Sequence, residues 1–324
     1  MSPSESAGIV LVTGKDTVPP DARAFIEEQG FELRYKPAEK LNRQQLHQAL
    51  ADVSGYLIGG NEKPLAEHFE QAAKLQVVAW VGTDFRANVP GWERAFDLGI
   101  AVVSTPGENA VSVAEFTLRL ILAIARPIAA APGVELHGRT LGIVGAGRIG
   151  ARVAKAAALG LGMKVLYTAP RRNEALEAAL GIEYVRLADL LERSHVISLH
   201  RPGLAPGEQP TLGPRELERI GAGTLLVNTA HYSLIDPAAL FEAIELRGLR
   251  VAVDGVNPKD RKGLWARLIA LGPDRFLYAP DIGYNTGAAN SRAGMRAARA
   301  VCDVLLGGNS DSVNNQDFRE RPPR

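Results

Sequence analysis

Three glycines have the types and spacing to do chemistry: Gly145, Gly147 and Gly150, in Gly145-Ala146-Gly147-Arg148-Ile149-Gly150. They follow the apolar run Thr140-Leu141-Gly142-Ile143-Val144, which reads as a buried strand, and lead into a helix expected over 149–159. In that setting Gly145 permits a tight turn, Gly147 lets the backbone approach a pyrophosphate, and Gly150 lets helix and strand pack closely. The N–H groups and dipole at the helix start then attract anionic phosphate. A glycine pattern alone can be an ordinary turn. Between a strand and a helix it predicts a dinucleotide site.

The end of the next strand selects the dinucleotide. A carboxylate there binds the ribose 2′-hydroxyl of NAD(H), whereas a guanidinium grips the 2′-phosphate of NADP(H). Here the strand at 164–167 runs on as Thr168-Ala169-Pro170-Arg171-Arg172, with no carboxylate. NADP(H) is therefore expected over NAD(H), with Thr168, Arg171 and Arg172 beside the ribose. A solvated arginine pair on a loop is the plain alternative. No metal is expected. Cys302 is the only cysteine and sits in an apolar run, and His47, His68, His137 and His195 lack metal-ligand spacing.

Around the turn, short β-branched strands alternate with helices. Strands are expected at 9–12, 31–35, 55–58, 76–80 and 100–103, and helices at 22–29, 43–51 and 64–74. A long helix over 108–124 leads to strands at 140–144, 164–167, 196–200, 224–228, 250–253 and 275–278, then a final helix over 288–306. Such alternation builds parallel sheets covered on both faces. The polar tail 309–324 is expected to be disordered. A length of 324 residues, 46% hydrophobic, suffices for two domains with cores of their own. A formal net charge of +1 argues against a basic nucleic-acid surface. The longest apolar run, 118–125, is too short to span a bilayer and contains Arg119. With no secretory leader pattern either, the expectation is a cytoplasmic chain acting on a small molecule, without nucleic-acid or membrane partners.

An ordered set of further segments spans almost the whole chain. It comprises Val81-Gly82-Thr83-Asp84, Gly99-Ile100-Ala101-Val102, Thr105-Pro106-Gly107, Val113-Ala114-Glu115 with Arg126, and the run 135–142 into the glycine turn. After the turn come Ser198-Leu199-His200-Arg201-Pro202, Leu226-Val227-Asn228-Thr229-Ala230, Val253-Asp254-Gly255-Val256 and Ala279-Pro280-Asp281-Ile282-Gly283. With these the chain resembles the D-2-hydroxyacid dehydrogenase family. The resemblance implies an α/β chain of two doubly wound parallel-sheet domains. A Rossmann cofactor domain, 107–286, would be inserted into a flavodoxin-like substrate domain of 1–106 plus 287–324, with the active cleft between them. It implies a homodimer, whose interface is expected to be altered because 127–134 is short for the family's dimer arm. It also implies cofactor contacts from Arg148, Ile149, His200, Pro202, Thr229 and Asp254. His200 reads equally well as a structural histidine, and Asp254 as a turn cap. Asn61 and Glu62, after Gly59-Gly60, are candidate substrate contacts on a loop.

The family's catalytic set, carried over by the flanking residues, is an arginine that forks the substrate carboxylate, a histidine that passes the proton and a glutamate that orients it. This chain has His231 after Asn228-Thr229-Ala230, Asp281 after Ala279-Pro280, and Lys259 five residues after Asp254, with Asp260 one step further on. Two readings follow. In one, the chain is a reductase of a ketone or imine other than a simple 2-keto acid, with His231, Lys259 and Asp281 at the reacting centre and Tyr232 or Tyr284 as further donors. Burial would raise the Asp281 pKa and fit it as a proton donor, whereas a Lys259 ammonium beside it would keep the carboxylate ionised, able instead to stabilise an iminium acceptor. In the other, hydride transfer is lost and a dinucleotide-binding sensor or partner subunit remains. An ordinary 2-hydroxyacid dehydrogenase with shifted residues is a third possibility.

Overall fold

Side-chain alternation along the strands buries both faces of each sheet. Val10 and Val12 join one core and Leu11 another, and all three are fully buried. Ile143 and Val144 divide between two further cores in the same way. Such strands suit parallel sheets with helices on either side. The computed structural model describes residues 7–14, 17–37, 41–127, 132–205, 207–260 and 262–319.

Contacts divide the chain into two units, Met1–Asn109 with Asn285–Arg324, and Ala110–Tyr284. The first unit holds β1 (Ile9–Thr13), β2 (Glu32–Lys36), β3 (Gly55–Ile58), β4 (Val77–Trp80) and β5 (Ala101–Ser104), in the parallel order β2-β1-β3-β4-β5. That order is flavodoxin-like. The helix Gly287–Leu305 returns to this unit and packs on the face of Val10 and Val12 beside the helix Pro20–Glu28.

The second unit opens with the helix Ala110–Ala125. It carries β6 (Thr140–Val144), β7 (Lys164–Thr168), β8 (Glu183–Tyr184), β9 (Val196–Leu199), β10 (Leu225–Asn228), β11 (Arg250–Asp254) and β12 (Phe276–Ala279). Their parallel order, β12-β11-β10-β9-β6-β7-β8, reverses direction between β6 and β9. Ligands bind at such a reversal, outside the carboxyl ends of the strands. Among the described residues no helix is long and apolar enough to cross a membrane.

The tail corrects its expectation. Val313 bridges Val103 in antiparallel sense, and the Asn315 side chain accepts from Val102 N and donates to Ile100 O, both at 2.9 Å. Val313 and Phe318 are buried in the core. The polar composition reflects work done at a strand edge: asparagines satisfy the open side of β5, and two apolar anchors hold the segment down. Residues 320–324, and 128–131 of the dimer-arm segment, lie outside the described residues.

Candidate active site

The glycine turn is built between two strand ends. Gly145 N donates to Thr168 O at 2.8 Å, and His200 N donates to Val144 O at 2.7 Å. Gly145 has φ +101°, and a Cβ there would lie 2.6 Å from His200 O. A Cβ at Gly150 would lie 2.1 Å from Gly145 O, so helix and turn close together only with glycine at both places. At Gly147 a Cβ would meet nothing within 4 Å, so this backbone faces open space. The helix Gly150–Leu161 has no side-chain cap at its start. An open backbone and an uncapped helix N-terminus fit a dinucleotide diphosphate. Arg148 is exposed, and Ile149 packs partly into the core below.

At the end of β7 the structure corrects the expectation of two available arginines. Arg172 grips Glu177 bidentately, Nε to Oε1 at 2.9 Å and Nη2 to Oε2 at 2.6 Å. The Tyr167 hydroxyl also donates to Glu177 Oε1 at 2.7 Å and accepts from Asn173 N at 2.7 Å. Arg172, and then Tyr167, hold the Glu177 carboxyl down at about 2. Only Arg171, exposed on the loop, and half-buried Thr168 retain the expected surroundings. Glu177 escaped the sequence reading because it stands on the next helix, five residues from its partner and off any helical contact spacing.

The His200 Nε2 lies 2.9 Å from Ser198 Oγ, and burial of the imidazole pushes its pKa down to about 3. It is a neutral ring beside the turn. The Thr229 hydroxyl lies 2.7 Å from that of Thr117 on the helix Ala110–Ala125, and Pro202 is exposed.

Beyond β10, β11 and β12 lies a cavity of about 720 Å³, lined among others by His231, Tyr232, Asp254, Asp260, Trp265 and Asp281. Asn228 Nδ2 donates to His231 O at 3.0 Å and shapes the turn after β10. The His231 ring lies over Tyr232, centroids 4.1 Å apart, and Tyr232 meets Trp265 edge-on at 6.4 Å. Asp254, at the end of β11, is buried and accepts from Ile282 N at 2.8 Å and Gly283 N at 2.7 Å. The turn-capping role is therefore realised. Those bonds fix the loop that carries Asp281, the single non-glycine residue at positive φ (+58°) among the described residues. Aspartate tolerates that conformation better than most side chains.

Desolvation raises the Asp254 carboxyl, against the pull of its N–H partners. Desolvation by the cavity walls raises Asp281 too, and the Asp254 charge adds to it. The Tyr284 hydroxyl is raised by desolvation, then by both carboxylates.

Lys259 does not line this cavity, and Asp260 does, between Pro258 and Trp265. Asp260 Oδ2 also accepts from Trp265 N at 3.3 Å. The charged neighbour of Asp281 is thus the Asp254 carboxylate and not the Lys259 ammonium. Glu62 is no surface contact either. It is 1% exposed, and it accepts from the Thr13 hydroxyl at 3.1 Å and from Leu41 N at 3.2 Å. Asn61 is exposed. Trp265 and Tyr278, also in the lining, were missed by sequence reading. An aromatic in a short apolar helix, or on a last strand, carries the same pattern as a core residue. No group of three or more His, Cys, Asp or Glu able to hold a metal occurs among the described residues.

Residues 125–268 match the family model for the D-isomer specific 2-hydroxyacid dehydrogenase, NAD binding domain. The glyoxylate reductase of Korarchaeum cryptofilum is 38% identical over 286 residues, covering 80% of this chain and 82% of that protein. The D-3-phosphoglycerate dehydrogenase of Methanocaldococcus jannaschii is 32% identical over 327 residues and 94% of this chain, which spans 59% of that relative's length. The crystal structure of the TT0316 protein from Thermus thermophilus superposes with a TM-score of 0.82 at 30% identity, over 94% of this chain and 99% of that one. A glycine turn at the strand-order reversal and relatives aligned over most of both chains lead to one assignment: this chain belongs to the D-isomer-specific 2-hydroxyacid dehydrogenases, a family of NAD-binding oxidoreductases.

Proposed function

We propose that the chain reduces a ketone or imine other than a simple 2-keto acid, with Asp281 as proton donor. The observation that carries this reading is the Asp254–Asp281 pair at the cavity, both carboxyls raised above their ordinary range. A carboxyl that desolvation and a like-charged neighbour make hold its proton more tightly than a free aspartate can act as a general acid. A nicotinamide dinucleotide, when bound, supplies the hydride. Asp281 then gives its proton to the carbonyl oxygen or imine nitrogen and recovers one from solvent, to which it is exposed. Asp254 positions the 281–283 loop, and His231, Tyr232 and Tyr284 are further donors. Where the family resemblance places a carboxylate-gripping arginine, His231 offers no fork, so a 2-keto carboxylate lacks its bidentate anchor. Asp260 lines the cavity and Lys259 does not, which supports Asp260 in the role expected for Lys259.

NADP(H) is proposed over NAD(H). The support is Arg171 on an exposed loop, and a carboxylate beside that loop, Glu177, already held by Arg172 and Tyr167. The proposed assembly is a homodimer with an altered interface, read out by light scattering.

The test is oxidation of NADPH and NADH by the purified chain against matched neutral ketones, imines and 2-keto acids. Turnover confined to the ketones or imines supports the reading. Efficient turnover of 2-keto acids contradicts it, and a chain that binds dinucleotide yet reduces nothing is a binding module instead.

A further inference from the structure

The cavity beside Asp281 has a chemical bias that the choice between ketone and imine does not use. Its lining includes the carboxyls of Asp254, Asp260 and Asp281 and the rings of Tyr232, Trp265 and Tyr278, and no Lys or Arg among the described residues. His231 is the only lining group that could offset them. Its Nδ1 lies 2.7 Å from Ser233 Oγ and accepts from Ser233 N at 3.2 Å, so this nitrogen is engaged by the turn that carries it. The cavity, about 720 Å³, is a space between loops and a short helix and stands independently of the carboxylates.

We infer that this site selects a positively charged nitrogen compound, an iminium ion as substrate and its amine as product, held between Asp260 and Asp281 with Tyr232, Trp265 and Tyr278 as aromatic walls. The inference rests on the reductase reading and narrows it. Carboxylates and aromatic faces both attract a cation. An anionic keto acid meets like charge with no compensating Lys or Arg among the described lining residues, and a neutral ketone gains nothing from it. The reduction balances with a reduced nicotinamide dinucleotide as hydride donor. Hydride forms the new C–H bond, the C=N π pair becomes the nitrogen lone pair, and the dinucleotide leaves oxidised. The neutral amine then takes a proton from solvent. A neutral imine first takes a proton from the Asp281 carboxyl and enters the same sequence.

The test uses the whole chain in calorimetric titrations without dinucleotide, with 2-methylpyrrolidinium, cyclopentanone and pyruvate as probes. NADPH oxidation is measured in parallel with 2-methyl-1-pyrroline and cyclopentanone. The cation should bind, and pyruvate should give no heat at the same concentrations. At a pH above the raised Asp281 value, where that carboxyl is ionised, Asp260→Asn and Asp281→Asn should each weaken cation binding about tenfold while the dinucleotide-induced rise in melting temperature stays unchanged. Asp260→Asn keeps an oxygen acceptor for Trp265 N, so loss of fold does not mimic the effect. Cation binding no tighter than that of cyclopentanone, or equal binding of pyruvate, overturns the inference. If cyclopentanone is reduced and the cation does not bind, this inference falls and the reductase reading stands. Charge-dependent cation binding with nothing reduced supports the site's selectivity and removes the reductase reading.

Discussion

At the scale of single residues, two carboxyls hold their protons more tightly than free aspartates do. Asp254 is fixed by the N–H groups of Ile282 and Gly283, and Asp281 shares its cavity. Raised carboxyl pKa values have a thermodynamic consequence, because the folded chain binds more protons here than the unfolded one. The pair's contribution to stability is complete below the unfolded value of 3.8 and is lost as pH rises through the raised folded values. Asp281→Asn removes part of that loss. Its melting temperature should therefore gain on wild type as pH climbs from about 4 toward neutrality, in a series of thermal melts. The positions of His231 and Asp281 were legible because their flanks, Asn228-Thr229-Ala230 and Ala279-Pro280, are. The partner of Asp281 was not. Lys259 was reached by counting across a loop, and the loop turns Asp260 into the cavity instead. Glu62 misled for a related reason: a strand-end loop is often a contact surface, but this carboxylate folds back onto Thr13.

At the scale of elements, the strand–turn–helix around Gly145 is where sequence and structure agree most closely, because strand, glycine spacing and helix all express one local geometry. Gly145→Ala would place a Cβ 2.6 Å from His200 O at φ +101°. Such a conformation costs roughly 1–3 kcal/mol for a side-chain-bearing residue. The variant should lose the rise in melting temperature that dinucleotide gives wild type. The end of β7 teaches the opposite lesson: its arginines were visible in sequence, and the acid that claims one of them was not. Glu177→Gln releases Arg172 from its bidentate pair, so the melting shift with NADPH should grow relative to that with NADH. An unchanged ratio would mean that Arg172 has no part in the choice. Apolar runs gave away most strands. The two-residue β8 and the helices Phe85–Asn88 and Trp92–Asp97 lack the length to produce a periodic pattern.

At the scale of the whole molecule, the chain leaves the first unit after Asn109 and returns to it at Asn285, ending in a segment that closes the edge of β5. Its polar composition hid that role, since asparagine side chains stand in for a strand's own ladder bonds. Asn315→Ala strips both side-chain bonds from buried backbone groups of Val102 and Ile100. It should destabilise the chain by about 1–3 kcal/mol, read from denaturant unfolding, without altering dinucleotide binding, whose residues lie in the other unit. The family's ordered segments survive around a cavity lined by His231, Asp260 and Asp281, the reacting centre proposed above. The most direct test of that centre is the pH–rate profile of wild type and Asp281→Asn on one ketone or imine taken from the panel. An acid donor works in its protonated form, so the wild-type rate should fall as pH rises through the raised Asp281 value. The variant should be slower by about 10²–10⁴ and should have lost that alkaline limb. A variant with wild-type rate and an unchanged profile would contradict the assignment of Asp281 as proton donor.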